Sequence, residues 1–203
     1  MESKKGKNKS WFIITGSLLF VIGASLIAYN YLSNRIVNNK EQEALEDFYK
    51  EEIIVESTID TPKKEEVKEQ IKIEYVAVLK IPKINLERGL VDPNSYLNNV
   101  NYNLEFIKGT SMPDEKNGNV IIAGHSGSAR TSYFKKIDQL SIGDSASLIY
   151  KGITYTYKVV DIYDIEKTGK AEIIRNKNIN TLTLITCRHG TNKQIVIICE
   201  LDS

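Results

Sequence analysis

The sequence predicts an all-β barrel carried behind an N-terminal membrane helix. Three observations lead there. An apolar run from Trp11 to Leu32 holds no charge, short runs rich in β-branched and aromatic residues follow position 74, and turn residues punctuate those runs. At 203 residues the chain suits one core of ordinary size with some appended sequence. Its 27 basic and 26 acidic residues leave a net charge of +1, so nothing points to nucleic acid.

The elements follow in order. Residues 1–10 form a basic tail with Lys4, Lys5, Lys7 and Lys9. The run at 11–32 would reach about 33 Å as a helix at ~1.5 Å per residue, enough for a hydrocarbon core of ~30 Å. A cleaved signal peptide is the rival, but the run is longer than a signal core and no small-x-small site closes it. Lysines before the run stay in the cytoplasm, so the expectation is a single-pass cell-membrane protein with an extracellular domain. Residues 33–73, rich in Glu, Lys and Asn and broken at Thr61-Pro62, are expected to be a solvated, partly helical stalk or linker.

Residues 74–203 are expected to form the folded domain. Strands are predicted at 75–81, 119–124, 145–150, 153–163, 181–186 and 194–201, with Lys151-Gly152 closing a two-residue hairpin between Tyr150 and Ile153. Short helical turns are predicted near 93–102 and within 131–140, where Tyr133, Phe134, Ile137 and Leu140 share a face. Many short strands with little helix imply a closed or nearly closed barrel.

Chemistry concentrates on few residues. His125 follows NVIIAG and opens the turn HSGS, so it stands at a strand end where a loop begins. Cys187 ends TLTLIT in the same way. Strand alternation puts Leu182, Leu184 and Thr186 on one face and Thr181, Thr183, Ile185 and Cys187 on the other. If the leucines fill the barrel, the thiol points into an outer groove. A thiol there can attack an acyl group with help from an imidazole and oxyanion donors. His189 is a second candidate base, although Arg188-His189-Gly190 reads as a turn. A disulfide between Cys187 and Cys199 is the structural alternative, against which Cys199 sits in the apolar run IVIIC.

The segments VLKIPKINLE (78–87), FIKGTSMP (106–113), GNVIIAGHSG (118–127), YFKKIDQLSIGD (133–144) and TLTLITC (181–187) occur in an order that closely resembles the sortase family over nearly all of 75–201. The resemblance implies an eight-stranded barrel whose cysteine, Cys187, cleaves an LPxTG-like sorting signal through a thioester. It implies that His125 exchanges protons with the leaving and entering amines. It further implies exported proteins with C-terminal sorting signals as substrates, and a peptidoglycan precursor or pilin amine as acceptor, in a Gram-positive host. No cofactor or metal is required for that chemistry, and calcium dependence is left undecided. Thr183, Ile185 and Thr186 are expected beside the substrate groove. No long helix precedes the cysteine strand and no Asp-Pro-aromatic sequence precedes Tyr75, so the likeness is to the class A-like or related single-domain branches.

One position departs from the family pattern. Where an arginine is usual on the last strand, this chain has Gln194, flanked by Lys193; Arg188 and Arg130 are other sources of a guanidinium. A glutamine amide donates a hydrogen bond but carries no charge. The departure motivates a second reading, a sortase-like module that binds without turnover. Two further alternatives are a papain-like wall amidase, disfavoured because His125 precedes Cys187, and a zinc site from His125, His189, Cys187 and Cys199, whose spacing fits no common finger.

Overall fold

The structure is a computed structural model that describes residues 7–55 and 73–202, with side chains over 11–50 and 73–202. Residues 1–6 of the basic tail and the Thr61-Pro62 break lie outside the described residues. The chain divides into two compact units, Met1–Glu43 and Ala44–Ser203.

The first unit is built on a helix, α1 (Lys7–Val55), which continues into the second. Over Trp11–Lys50 it is long and apolar enough to cross a membrane by length and composition, and none of its most apolar window is buried in protein. Trp11, Phe12, Leu19, Phe20 and Ile27 are all exposed, as a segment facing hydrocarbon requires.

The second unit contains one eight-stranded sheet. Its strands are β1 (Ala77–Ile81), β2 (Leu86–Leu90), β3 (Glu105–Phe106), β4 (Asn119–Ala123), β5 (Ser145–Tyr150), β6 (Ile153–Glu166), β7 (Thr181–Cys187) and β8 (Lys193–Leu201). They lie in the order β2-β1-β5-β6-β8-β7-β4-β3. Every strand sends residues into one apolar cluster, among them Leu79, Leu90, Phe106, Ile122, Leu148, Tyr157, Leu184 and Ile197, so the sheet curls into a nearly closed barrel around a single core. The predicted hairpin at Lys151-Gly152 is present, with Tyr150 paired to Ile153 and positive φ at both loop residues. The region near 93–102 forms turns without a helix, and 131–140 contains one 3₁₀ turn, Ile137–Gln139.

Two features bear on the site. All the contacts are antiparallel except β4 with β7, which run parallel. In β6 the register shifts between Val159 and Asp161, so the bulge reverses which residues face inward. Tyr157 and Val159 belong to the barrel core, whereas Tyr163 and Ile165 pack on the outer face. Within the second unit the last turns of α1 also contribute: Ala44, Leu45, Phe48 and Tyr49 pack with Tyr75, Val78, Val91 and Ile149. The Tyr49 hydroxyl donates to Glu87 at 2.7 Å.

Candidate active site

The parallel pairing of β4 and β7 determines the site. Its register runs Asn119↔Thr181 through Ala123↔Ile185. Continuing it two places sets His125 beside Cys187, and the bonds past the strand end hold that register. The Gly124 N–H donates to the Ile185 carbonyl at 3.2 Å, and the Ser126 hydroxyl donates to the carbonyl of Cys187. Neighbouring strands run about 4.8 Å apart, so two residues more than sixty positions apart in sequence issue from adjacent strand ends. The His125 carbonyl is itself fixed by the Phe134 N–H at 2.9 Å.

On the other side of β7, Cys187 pairs with Gln194 of β8. Directly paired residues project from the same face of the sheet, with Cβ atoms about 5 Å apart. Gln194 therefore stands next to the thiol. Lys193 projects to the opposite face by alternation and pairs with Glu166. The Arg188 Nε donates to Asp164 Oδ1 at 2.7 Å, which commits its guanidinium to β6. Arg130 is exposed in the loop after β4. Of the four polar side chains suggested by sequence, the register puts Gln194 at the thiol.

Residues 181–186 are buried, and Cys187 is the first position of β7 to reach solvent, being half-buried. Both cysteines are free. Cys199 pairs with Leu182, five residues along β7 from Cys187, a separation near 17 Å at ~3.4 Å per residue; a disulfide between them is out of reach. Cys199 is fully buried in the barrel core, and burial pushes its thiol up to about 12. That placement also removes it from any metal set shared with His125, Cys187 and His189.

The groove expected along Thr183 and Ile185 is filled. Leu182 and Leu184 do occupy the barrel core, so the opposite face is outward, but Thr183 is 0% and Ile185 7% exposed. Ile121, Ile185, Val196 and Ile198 form a second apolar layer there, covered by Ile107, Tyr163, Ile165 and Ile173. The cover is tied by Tyr163, whose hydroxyl accepts the Ile174 N–H at 2.9 Å and donates to the Glu172 carbonyl at 3.1 Å. Thr181 and Thr183 both donate to Asn119 Oδ1 at 2.9 Å. Thr186 is buried, and its hydroxyl donates to the Gly124 carbonyl at 2.5 Å.

The open space beside Cys187 borders the core residues Phe134, Ile137 and Ile195, and neither His125 nor Gln194 lines it. A pocket of about 180 Å³ is lined by Ser126, Phe134, Lys135, Asp138, Thr186, Cys187, Arg188, His189 and Ile195, among others. His189 reaches it from the β7–β8 turn, where Gly190 has φ 72° and the Thr191 N–H donates to the Arg188 carbonyl at 3.3 Å. Ser126 was not singled out from sequence, because a serine in a glycine-containing turn carries no signal of its own.

Comparison with known proteins gives consistent results. Residues 79–202 match the family model described as Sortase domain. Among solved structures, a Clostridium perfringens sortase D5 transpeptidase is 21% identical with a TM-score of 0.58, the alignment covering 82% of this chain and 98% of that one. A lid mutant of sortase A from Corynebacterium diphtheriae is 19% identical with a TM-score of 0.58, covering 67% of this chain and 74% of that one. Sortase A from Listeria monocytogenes is 22% identical with a TM-score of 0.52, covering 64% and 88%. These likenesses are of fold. No curated protein matches the chain in sequence.

Proposed function

The chain belongs to the sortase family, and from that membership we propose that it is a membrane-anchored cysteine transpeptidase acting on sorting signals of the LPxTG kind. The observation that carries the proposal is the alignment of Cys187 at the end of β7 with Gln194 facing it from β8 and, in the extended β4–β7 register, His125 two residues past the end of β4. The thiolate of Cys187 attacks the carbonyl after the threonine of the signal. His125 protonates the leaving amine, and the protein remains as a thioester on Cys187. An entering amine, from a peptidoglycan precursor or a pilin lysine, gives its proton to His125 and takes the acyl group as a new amide. The Gln194 amide donates to the oxyanion in the role usually filled by arginine. The chemistry needs no cofactor.

The apolar span of α1 supports anchoring in the cell membrane with the barrel outside; of the stalk expected at 33–73, Ala44, Leu45, Phe48 and Tyr49 instead pack within the barrel's own unit. Acceptor dependence tests the proposal: the full chain in detergent is mixed with a panel of LPxTG-like peptides, with and without an added amine. Formation of the peptide–amine amide, absent from Cys187→Ala and His125→Ala, supports it. Binding of the peptides with no new amide and no cleavage supports the non-turnover module, and release of muropeptides from wall without an amine supports an amidase.

A further inference from the structure

The regular ladder between β4 and β7 ends just short of the two residues that the chemistry needs. Its last members are Ala123 and Ile185, with the Gly124 N–H donating to the Ile185 carbonyl at 3.2 Å. In a parallel pair the next carbonyl on that side of β7 is that of Cys187, and its regular donor is the N–H of residue 126. Here the Ser126 side-chain hydroxyl donates to it. A second hydroxyl crosses in the other direction, from Thr186 to the Gly124 carbonyl at 2.5 Å. Two side chains thus carry the strand pairing onward for one more step, where both chains are turning away into loops.

We infer that Ser126 is a positioning residue, whose hydroxyl holds Cys187 at the level of His125. The inference rests on the reading of these two as the reacting pair. Fixing the Cys187 carbonyl fixes the peptide plane that follows it, and with it the last backbone torsion of the cysteine. Ser126 is covalently next to His125, whose own carbonyl is held by the Phe134 N–H at 2.9 Å. The imidazole-bearing residue is therefore pinned on one side by Phe134 and on the other by a bond that ends on the nucleophile's backbone. A misplacement near 1 Å can cost on the order of 10² in rate, so a single tie of this kind matters to turnover far more than to folding. Stability should change little on its loss, because Ser126 and Cys187 are both half-buried and a single such hydrogen bond contributes little net.

The test compares wild type, Ser126→Ala and Ser126→Thr as full chains in detergent. Three quantities are read: kcat and KM for peptide-to-amine transfer, the rate of Cys187 alkylation by iodoacetamide, and the thermal midpoint. Ser126→Ala is expected to lower kcat by about 10-fold to 10² with KM within twofold and the midpoint nearly unchanged. It should also alter the alkylation rate by threefold or more. Ser126→Thr, which keeps the hydroxyl, should return both to within threefold of wild type. Unchanged kcat and alkylation in Ser126→Ala overturn the inference, as does a loss that Ser126→Thr fails to rescue or that simply follows a lowered midpoint. Alkylation needs no sorting signal, so the two ideas separate. A wild type that transfers no peptide, combined with a Ser126→Ala effect on alkylation that Ser126→Thr reverses, removes the transpeptidase reading and leaves the positioning role. With no effect on alkylation either, both fall.

Discussion

Cys187 of β7 and Gln194 of β8 are direct partners in an antiparallel pair, so the amide of one stands beside the thiol of the other. Arg188, the nearest arginine in sequence, lines the pocket beside Cys187 with its guanidinium ion-paired to Asp164 at 2.7 Å. If Gln194 supplies the oxyanion donor, Gln194→Ala should lower acylation about 10²-fold, while Gln194→Arg should equal or exceed wild type. Arg188→Ala should stay within about threefold, since it breaks an ion pair that is over a third exposed on the arginine side. Single-turnover rates with one peptide check all three, and a 10²-fold loss in Arg188→Ala alone would reassign the role.

Asn119 opens β4 and accepts the hydroxyls of Thr181 and Thr183, each at 2.9 Å, in a layer that excludes water. Asn119→Ala strands the buried Thr183 hydroxyl, while Thr181 keeps the Gly118 carbonyl at 3.4 Å, and should cost about 1–3 kcal/mol of unfolding free energy in chemical denaturation. Adding Thr183→Val should recover part of that loss, because removing both partners is milder than removing one. A double variant less stable than Asn119→Ala contradicts this account.

Gly124 precedes His125, and a Cβ there would meet Leu104 at 2.6 Å and Phe134 at 2.9 Å. Gly124→Ala should destabilise the barrel by about 1–3 kcal/mol through overpacking against Leu104 and Phe134. Gly127→Ala meets only the Ser132 hydroxyl, at 3.7 Å, and should be nearly neutral. Paired denaturation curves distinguish these outcomes.

Much of this architecture was legible from sequence because alternation is a local property. β7 and β8 are rich in β-branched residues and β5 alternates small polar with apolar positions, so their inward faces read directly, and Leu182 and Leu184 do fill the barrel. β2 was missed, since LERGL carries two charges and a glycine, and β3 is only two residues long. Periodicity could not show that β4 and β7 are parallel neighbours, which is the fact that unites His125 with Cys187; the resemblance supplied that pairing of roles. Nor could it show that the outer face is covered, because the polar stretch between β6 and β7 gives no sign that Ile173 packs down or that a bulge turns Tyr163 outward.

Cys199 offers a pH-dependent signature. Burial raises its thiol from an ordinary 9.0 to about 12, so the folded chain keeps it protonated where the unfolded chain ionises it. Its contribution to stability is whole below pH 9 and is lost as pH climbs from 9 toward 12. Cys199→Ala should therefore lose less stability than wild type across that interval. At about pH 8 a thiol reagent should label Cys187 alone in the folded chain and both cysteines after denaturation. Equal, rapid labelling of both in the folded state contradicts the placement of Cys199.

The most direct test of the transpeptidase reading is intact-mass spectrometry of the full chain after brief exposure to LPxTG-like peptides without an amine. A mass increase equal to the acyl fragment, located on Cys187, cleared by hydroxylamine and missing from Cys187→Ala, is the expected result. No adduct on wild type with any peptide of the panel, or an adduct that survives in Cys187→Ala, would contradict it.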